Sequence, residues 1–234
     1  MRLYYDLHIH SCLSPCGEDE MTPNNIVNMS VLKGLDVIAV TDHNHFGNVA
    51  PICDLAKQMG IICIPGVEVQ TREEVHVLCY FQSVKALASF FKALEQYRLP
   101  VKNKSDFFGT QKLMDREDNV IGEYELALIV SMDIVLEALE ELIKANDGVM
   151  VPAHVNKSSH SIMANLGFVP PSLQTKTVEI FLGEKEAPSC FDDYLKLYNS
   201  DAHTLRDISE ACHVLHVKEK TIEAIFEKLR EKCK

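Results

Sequence analysis

No stretch of this 234-residue chain approaches the 18 or so apolar residues that span a bilayer. A membrane-spanning helix is therefore not expected. The N-terminus has no charged segment followed by an apolar run, so it does not read as a signal peptide, and a cytoplasmic location is expected. Basic blocks are also missing: Lys and Arg total 23 against 34 Asp and Glu, a formal charge of -11. Proteins that grip nucleic acid along its backbone normally show a basic face, so an extended nucleic-acid groove is not expected. A small phosphorylated ligand, or the end of a short oligonucleotide, stays compatible, because bound cations can supply positive charge locally. No Gly-x-Ser-x-Gly elbow or Cys-His signature marks a protein nucleophile. No internal repeat, low-complexity segment or linker divides the chain, and its oligomeric state is not legible.

With 47% hydrophobic residues, the chain can bury a sizeable core and fits one α/β domain over 1–234. In a cytoplasmic setting its eight cysteines read as reduced thiols. Cys53, Cys63, Cys79 and Cys212 lie in apolar stretches, as small core residues do. Cys12 and Cys16 are spaced C-x3-C beside a His-rich segment. With no second cysteine pair to complete a thiolate site, they are read as lying outside any metal set.

Short apolar runs end repeatedly in imidazoles and carboxylates. Asp6-Leu-His-Ile-His10 places His8 and His10 on one face of a strand, since strands alternate with period two. The run 35–42 leads into Asp42-His43, and 61–67 into Glu68. His76 opens the run 75–81, the run 148–153 leads into His154, and 195–200 into Asp201-Ala-His203. Such a ligand set suits a hydrolytic site for borderline divalent ions. His213 and His216 read as ordinary surface or core residues, and His45 as a non-ligand.

Helical signals alternate with these strands. Thr22 can cap a helix that begins at Pro23 and ends at Gly34. Further helices are expected near 48–60, 83–96, 133–146 and 219–232. This β-α-β rhythm implies parallel strands with right-handed crossovers. Residues 97–125 break it and read as a small insertion or lid, with short strands at 106–109 and 118–122 around the Asp115–Asn119 turn. Phe90-Phe91 and Phe107-Phe108 read as core packing. Residues 156–175 read as loop.

Six motifs in order, His8-x-His10, Thr41-Asp42-His43, Gly66-x-Glu68, His76, Pro152-Ala-His154 and Asp201-Ala-His203, resemble the PHP (polymerase and histidinol phosphatase) superfamily from residue 6 to residue 203. The resemblance implies a distorted (β/α)7 TIM-like barrel with its site at the C-terminal ends of the strands. It also implies two to three divalent ions, with Mn, Fe and Zn all compatible. His8, His10, Glu68 and Asp201 would hold one ion. Glu68 would bridge to a second held with His76 and His154. His43 and His203 would hold a third with a carboxylate from the loop after His10. That loop is about three residues longer than in many relatives. Counting back from Pro23 reaches Glu18, with Asp19 next; counting forward from His10 reaches Pro15, which has no ligating side chain. Glu18 is the expected ligand.

Such a centre would hydrolyse phosphoesters by attack of metal-activated hydroxide. Glu68 would serve by bridging ions, Asp42 as an orienting group or proton acceptor, and Lys157 as a phosphate contact, with His160 a weaker one. The Val75–Tyr80 segment most resembles the stand-alone members that act on 3′,5′-bisphosphonucleotides and the 5′ ends of short RNA. The alternatives are a histidinol-phosphate-type monoester phosphatase and a metal-binding module without catalysis.

Overall fold

The computed structural model describes residues 1–182 and 188–231. In chain order its regular elements are β1 (Arg2–Ile9), α1 (Pro23–Leu32), β2 (Val37–Val40), α2 (Val49–Gln58), β3 (Ile62–Cys63), β4 (Gly66–Gln70), β5 (His76–Tyr80) and α3 (Val84–Leu94). They continue with α4 (Ser105–Phe108), β6 (Lys112–Met114), β7 (Val120–Glu123), α5 (Leu136–Ala145), β8 (Val149–Pro152), α6 (Ile162–Leu166), β9 (Thr177–Phe181), β10 (Leu195–Asn199), β11 (Val214–His216) and α7 (Ile222–Arg230).

Local chemistry explains most helix ends. The Thr22 hydroxyl accepts from the Asn25 amide at the start of α1, whose first residue is Pro23. The chain leaves α1 through Gly34 at φ 75°, a left-handed conformation that a side chain would resist. Ser83, Ser161 and Thr221 cap α3, α6 and α7 in the same manner as Thr22. The expected helix at 219–232 is realised as α7, and Lys232 lies outside the described residues.

Among the described residues the hydrogen-bonded ladders form four sheets rather than one continuous ring: β11-β1-β2-β3, β4-β5-β8, β10-β9 and β6-β7. Strands β1, β2 and β3 run parallel, as do β9 and β10. The uniformly parallel reading fails at β5, which is antiparallel to both β4 and β8. Only residues 71–75 separate β4 from β5, too few for the crossover that a parallel pair needs. The sheets meet at single points. Ile9 bridges Ala202 and His43 bridges Glu68, while the Val155 amide donates to Glu179.

Apolar side chains from six of these strands share one interior. Leu3, Tyr5 and Leu7 of β1, Val37 and Ala39 of β2, Leu78 and Tyr80 of β5, Val149 and Val151 of β8 and Leu197 of β10 pack with Leu215 of β11. Helix α7 seals this cluster from below with Ile225, Phe226 and Leu229. Outside it, α3 and α5 cover β4 and β5 through Leu87, Phe90, Leu139 and Ile143. Helices α1 and α2 cover β1 and β2 through Ile26, Val27, Ile52 and Ala56.

Three local expectations need correction. The 61–68 run is split into β3 and β4, with Pro65, which cannot donate to a ladder, between them. In the 97–125 segment the first hairpin strand is Lys112–Met114, and 105–108 is a single helical turn. Phe107 on that turn is 80% exposed, so it is not core. The loop 156–175 contains the short helix α6.

Candidate metal centre

The site lies where the interior of the strands turns from apolar to ionisable. On β5, Leu78 and Tyr80 face inward and so does His76, two residues earlier. Because β5 runs opposite to its neighbours, its first residue reaches the level where β1, β2 and β4 deliver theirs. On β4, Val67 and Val69 pack outward, which aims Glu68 inward.

Strict alternation fails on β1, and the failure aims the histidines. Leu3, Tyr5 and Leu7 belong to the interior cluster, so His8 would point outward in a regular strand. The β1–β2 register slips between Asp6 and Ile9. This bulge turns Ile9 to the outer cluster and His8 and His10 inward. Their Nε2 atoms lie 3.1 Å apart. His154 and Asp201 reach the same space with φ values of 29° and 52°. Such left-handed conformations are costly for non-glycine residues and gather at functional sites.

Glu68 is the hub. Five imidazole nitrogens surround its carboxylate: His43 Nδ1 and His76 Nδ1 at 2.9 Å, and His8 Nε2, His10 Nε2 and His154 Nε2 at 3.4 Å. Both carboxylate oxygens are nevertheless buried without a hydrogen bond of proper geometry, as is His43 Nδ1. Unsatisfied buried carboxylate oxygens are strongly unfavourable, and bridged cations satisfy them. Asp201 Oδ1 lies 3.2 Å from His8 Nε2 and 3.1 Å from His10 Nε2. Burial would raise the Glu68 carboxyl, yet His76, His8 and His43 hold it well below its ordinary value. Burial would likewise raise Asp201, which His8 and His10 hold down. His10 is pushed down, mainly by burial, and His76 is lowered to about 4, so both remain in the neutral form that ligates.

A layer of polar residues behind the imidazoles sets their tautomers. Glu179 on β9 is fully buried and accepts from His8 Nδ1 at 2.8 Å, from the His154 amide at 2.8 Å and from Asn199 Nδ2 at 2.8 Å. The proton on His8 Nδ1 leaves Nε2 free to face the centre. The Ser14 hydroxyl donates to Asp42 at 2.7 Å and accepts from the His43 amide at 3.1 Å. It must therefore also accept from His10 Nδ1, 3.0 Å away, which again frees Nε2. Asp42 takes the Ser11 amide and hydroxyl on its oxygens as well, at 2.7 and 2.6 Å. These donors place Asp42 behind the imidazoles, where it holds Ser11 and Ser14.

The loop after β1 does not bring the Glu18 carboxylate to the imidazoles. Glu18 is exposed and contributes its backbone, donating from its amide to the His203 carbonyl at 2.9 Å. Asp19 pairs with Lys112 at 2.6 Å. Instead Cys16 joins His10, His43 and His203, each offering one donor atom within 4.8 Å of the others. Desolvation would raise the Cys16 thiol, but His43 and His203 outweigh it and hold it at about 7. The other two donor groups are His8, His10 and Asp201, and His43, Glu68 and His76.

Lys157 stands at the mouth, donating to Asp201 at 2.5 Å with its ammonium 4.0 Å from the centre of the Phe181 ring. His160 stacks on His76 at 4.7 Å, and its carbonyl accepts the His76 amide. His45 turns away into Phe46, Phe91 and Tyr124, and burial pushes it down to about 4. His213 stacks on Tyr198, outside the centre. Sequence reasoning missed Cys16, Ser14, Asn199 and Glu179. Glu179 had a readable signal, a lone carboxylate in the alternating run Thr177-Val-Glu-Ile-Phe181.

Among the described residues no helix is long and apolar enough to cross a membrane. Over the whole fold, the protein is similar to the lesion-specific endonuclease PfuEndoQ of Pyrococcus furiosus. The TM-score is 0.67 at 19% identity, covering 98% of this chain and 56% of that one. A Bifidobacterium adolescentis protein proposed to be a metal-dependent phosphoesterase superposes with a TM-score of 0.60 at 16% identity, covering 96% and 94% of the two chains. A 5′-3′ exoribonuclease of Haemophilus influenzae is 32% identical over 77 residues. That match takes in 32% of this chain and 27% of the exoribonuclease, so it spans about a quarter of that protein's length. The PHP domain family matches residues 6–213, which contain every donor described above, and the chain belongs to that family.

Proposed function

We propose that this protein is a metal-dependent phosphoester hydrolase acting on nucleotide phosphates, namely 3′,5′-bisphosphonucleotides or the 5′ ends of short RNA. The observation that carries the reading is the buried Glu68 carboxylate, unsatisfied among five imidazoles. His8, His10, Glu68 and Asp201 would hold one divalent ion, and Glu68, His76 and His154 a second. His43 and His203 would take part in a third. Divalent cations supply Lewis-acid charge to a phosphoryl group and acidify water, so phosphoester hydrolysis needs little covalent help from the protein. Around them, Glu179 orients His8, the Ser14–Asp42 pair orients His10, and Lys157 meets a phosphate oxygen at the mouth.

The single-point ties between sheets, and the interior shared by six strands, support reading the three sheets other than the β6-β7 hairpin as parts of one distorted barrel. Within a single domain, the 97–125 segment acts as a cover on one rim. Its Lys112 amide donates to Cys12 in the loop after β1, and its Asp118 accepts from Thr22 and Asn24.

A second reading is cleavage within a nucleic-acid strand. An open groove runs from the centre past Lys157, Phe181, Ser200 and Arg206, and a chain with the PfuEndoQ fold has been crystallised on a lesion-containing duplex. The test is product formation by purified protein in Mn²⁺. Adenosine 3′,5′-bisphosphate, a 5′-phosphorylated RNA, histidinol phosphate and a duplex with one abasic site are supplied in parallel. Release from the first two alone supports the proposal. Nicking of the duplex alone moves the assignment to an endonuclease, and release from histidinol phosphate alone to a monoester phosphatase. Bound metal with no product from any of the four sinks the hydrolase reading.

A further inference from the structure

The loop between β1 and α1 brings a sulfur, not a carboxylate, to three imidazoles. Cys16, His10, His43 and His203 present four donor atoms within 4.8 Å of one another. The loop holds this arrangement through its backbone. The Gly17 amide donates to the Ser14 carbonyl at 2.9 Å, the Glu18 amide to His203 at 2.9 Å and the Cys12 amide to Met21 at 2.9 Å. Gly17 sits so close to Ser11 that a Cβ there would lie 2.4 Å from the Ser11 carbonyl oxygen. His43 turns its buried Nδ1 to Glu68, 2.9 Å away in the adjoining centre. Cys16 is solvent-exposed, yet its sulfur reaches these imidazoles, whereas Glu18 meets His203 through its backbone and Asp19 pairs with Lys112.

We propose that Cys16 is a thiolate ligand, so that the outermost cation position of the centre joins one thiolate to the imidazoles of His43 and His203, with His10 Nε2 kept for the neighbouring ion, and is selective for zinc-like ions over manganese. This rests on the metal-centre reading above. Imidazole suits zinc, copper, iron and nickel, whereas a thiolate adds the softness that selects against purely oxygen-seeking ions. Cys16, His43 and His203 supply three of the four tetrahedral positions of zinc, and the fourth stays open to water or substrate. On binding, the S–H bond is replaced by a metal–sulfur bond and one proton passes to solvent, with no change of oxidation state.

Cobalt(II) is the probe. The metal-stripped full chain titrated with Co²⁺ should develop a near-ultraviolet sulfur-to-cobalt charge-transfer band. Cys16→Ser and Cys16→Asp should lose the band, and Cys12→Ser should keep it. In Cys16→Asp the preference for Zn²⁺ over Mn²⁺ should fall by roughly tenfold or more, at least matching the loss of a ligand's supporting partner. The unaltered chain supplies a check that does not depend on any variant folding: bound Zn²⁺ should protect Cys16 from iodoacetamide, read by peptide mass spectrometry. Cobalt bound without the band, a band that persists in Cys16→Ser, or equal alkylation with and without zinc would overturn the thiolate ligand. Those results leave the metal centre standing. A chain that binds no cobalt at all overturns both.

Discussion

The lower and upper halves of the same interior do opposite work. Below, Leu3, Tyr5, Leu7, Leu78, Val151 and Leu197 are packed dry and sealed by α7. Above, within two residues on β5 and one on β1, the lining becomes His76 and His8. The lower half gains free energy from apolar burial. The upper half holds unsatisfied carboxylate oxygens and left-handed residues at His154 and Asp201. It keeps its geometry because the strands beneath it are fixed, the usual relation between a costly site and its scaffold.

Substitutions should separate the halves. Glu68→Gln should lower turnover by roughly 100-fold or more, since in the proposed centre one carboxylate would serve two cation positions. The melting temperature of the metal-free protein should fall only modestly, because the carboxylate that His76, His8 and His43 hold ionised is replaced by an amide of the same shape. Calorimetry and product release on the same sample test this, and a large loss of metal-free stability would contradict the division. Leu78→Ala should do the reverse, destabilising the fold by about 2–5 kcal/mol in denaturant titrations. At temperatures where the variant remains folded, metal stoichiometry should be unchanged.

Glu179→Gln probes the boundary. His8 loses a charged partner, and metal affinity measured by competition with a chelator should fall roughly 10–100-fold. An unchanged affinity would mean that Glu179 is only structural. The Cys16 thiol offers a milder, pH-resolved test. Its thiolate is the reactive form, so alkylation of the metal-free protein should rise as pH increases through about 7, earlier than for an unperturbed thiol at about 8.5. A midpoint near the latter value would show that His43 and His203 do not act on it. Smallest of all, Glu18→Ala should leave metal content and turnover within about twofold, because only its amide is used, at an expected change of no more than ~0.5 kcal/mol.

Much of the site could be read in advance wherever a ligand followed from local rules. His76 and Glu68 keep the alternation of their strands, and Thr22, Pro23 and Gly34 bound α1 as their chemistry requires. The loop after His10 resisted because counting from either end measures chain length, whereas a loop ligand is selected by where turns direct it. Gly17 packs on Ser11 and Glu18 meets His203 through its backbone, which leaves the Cys16 sulfur beside the imidazoles. The 71–75 connection had the same character: its length is visible, but its effect, reversing β5 so that His76 arrives at the active level, is a property of pairing.

The sequence by itself determined the mixed α/β class, the family membership and the pool of imidazoles and carboxylates, because apolar periodicity and donor chemistry are written residue by residue. Tertiary structure alone decided three things. The bulge between Asp6 and Ile9 turned the histidines of β1 inward. Glu179 became the partner of His8 across 171 residues of chain. Cys16, rather than Glu18, met His10, His43 and His203. Each depends on strand register or loop closure between distant segments, where the free energy belongs to the pair and to neither segment alone.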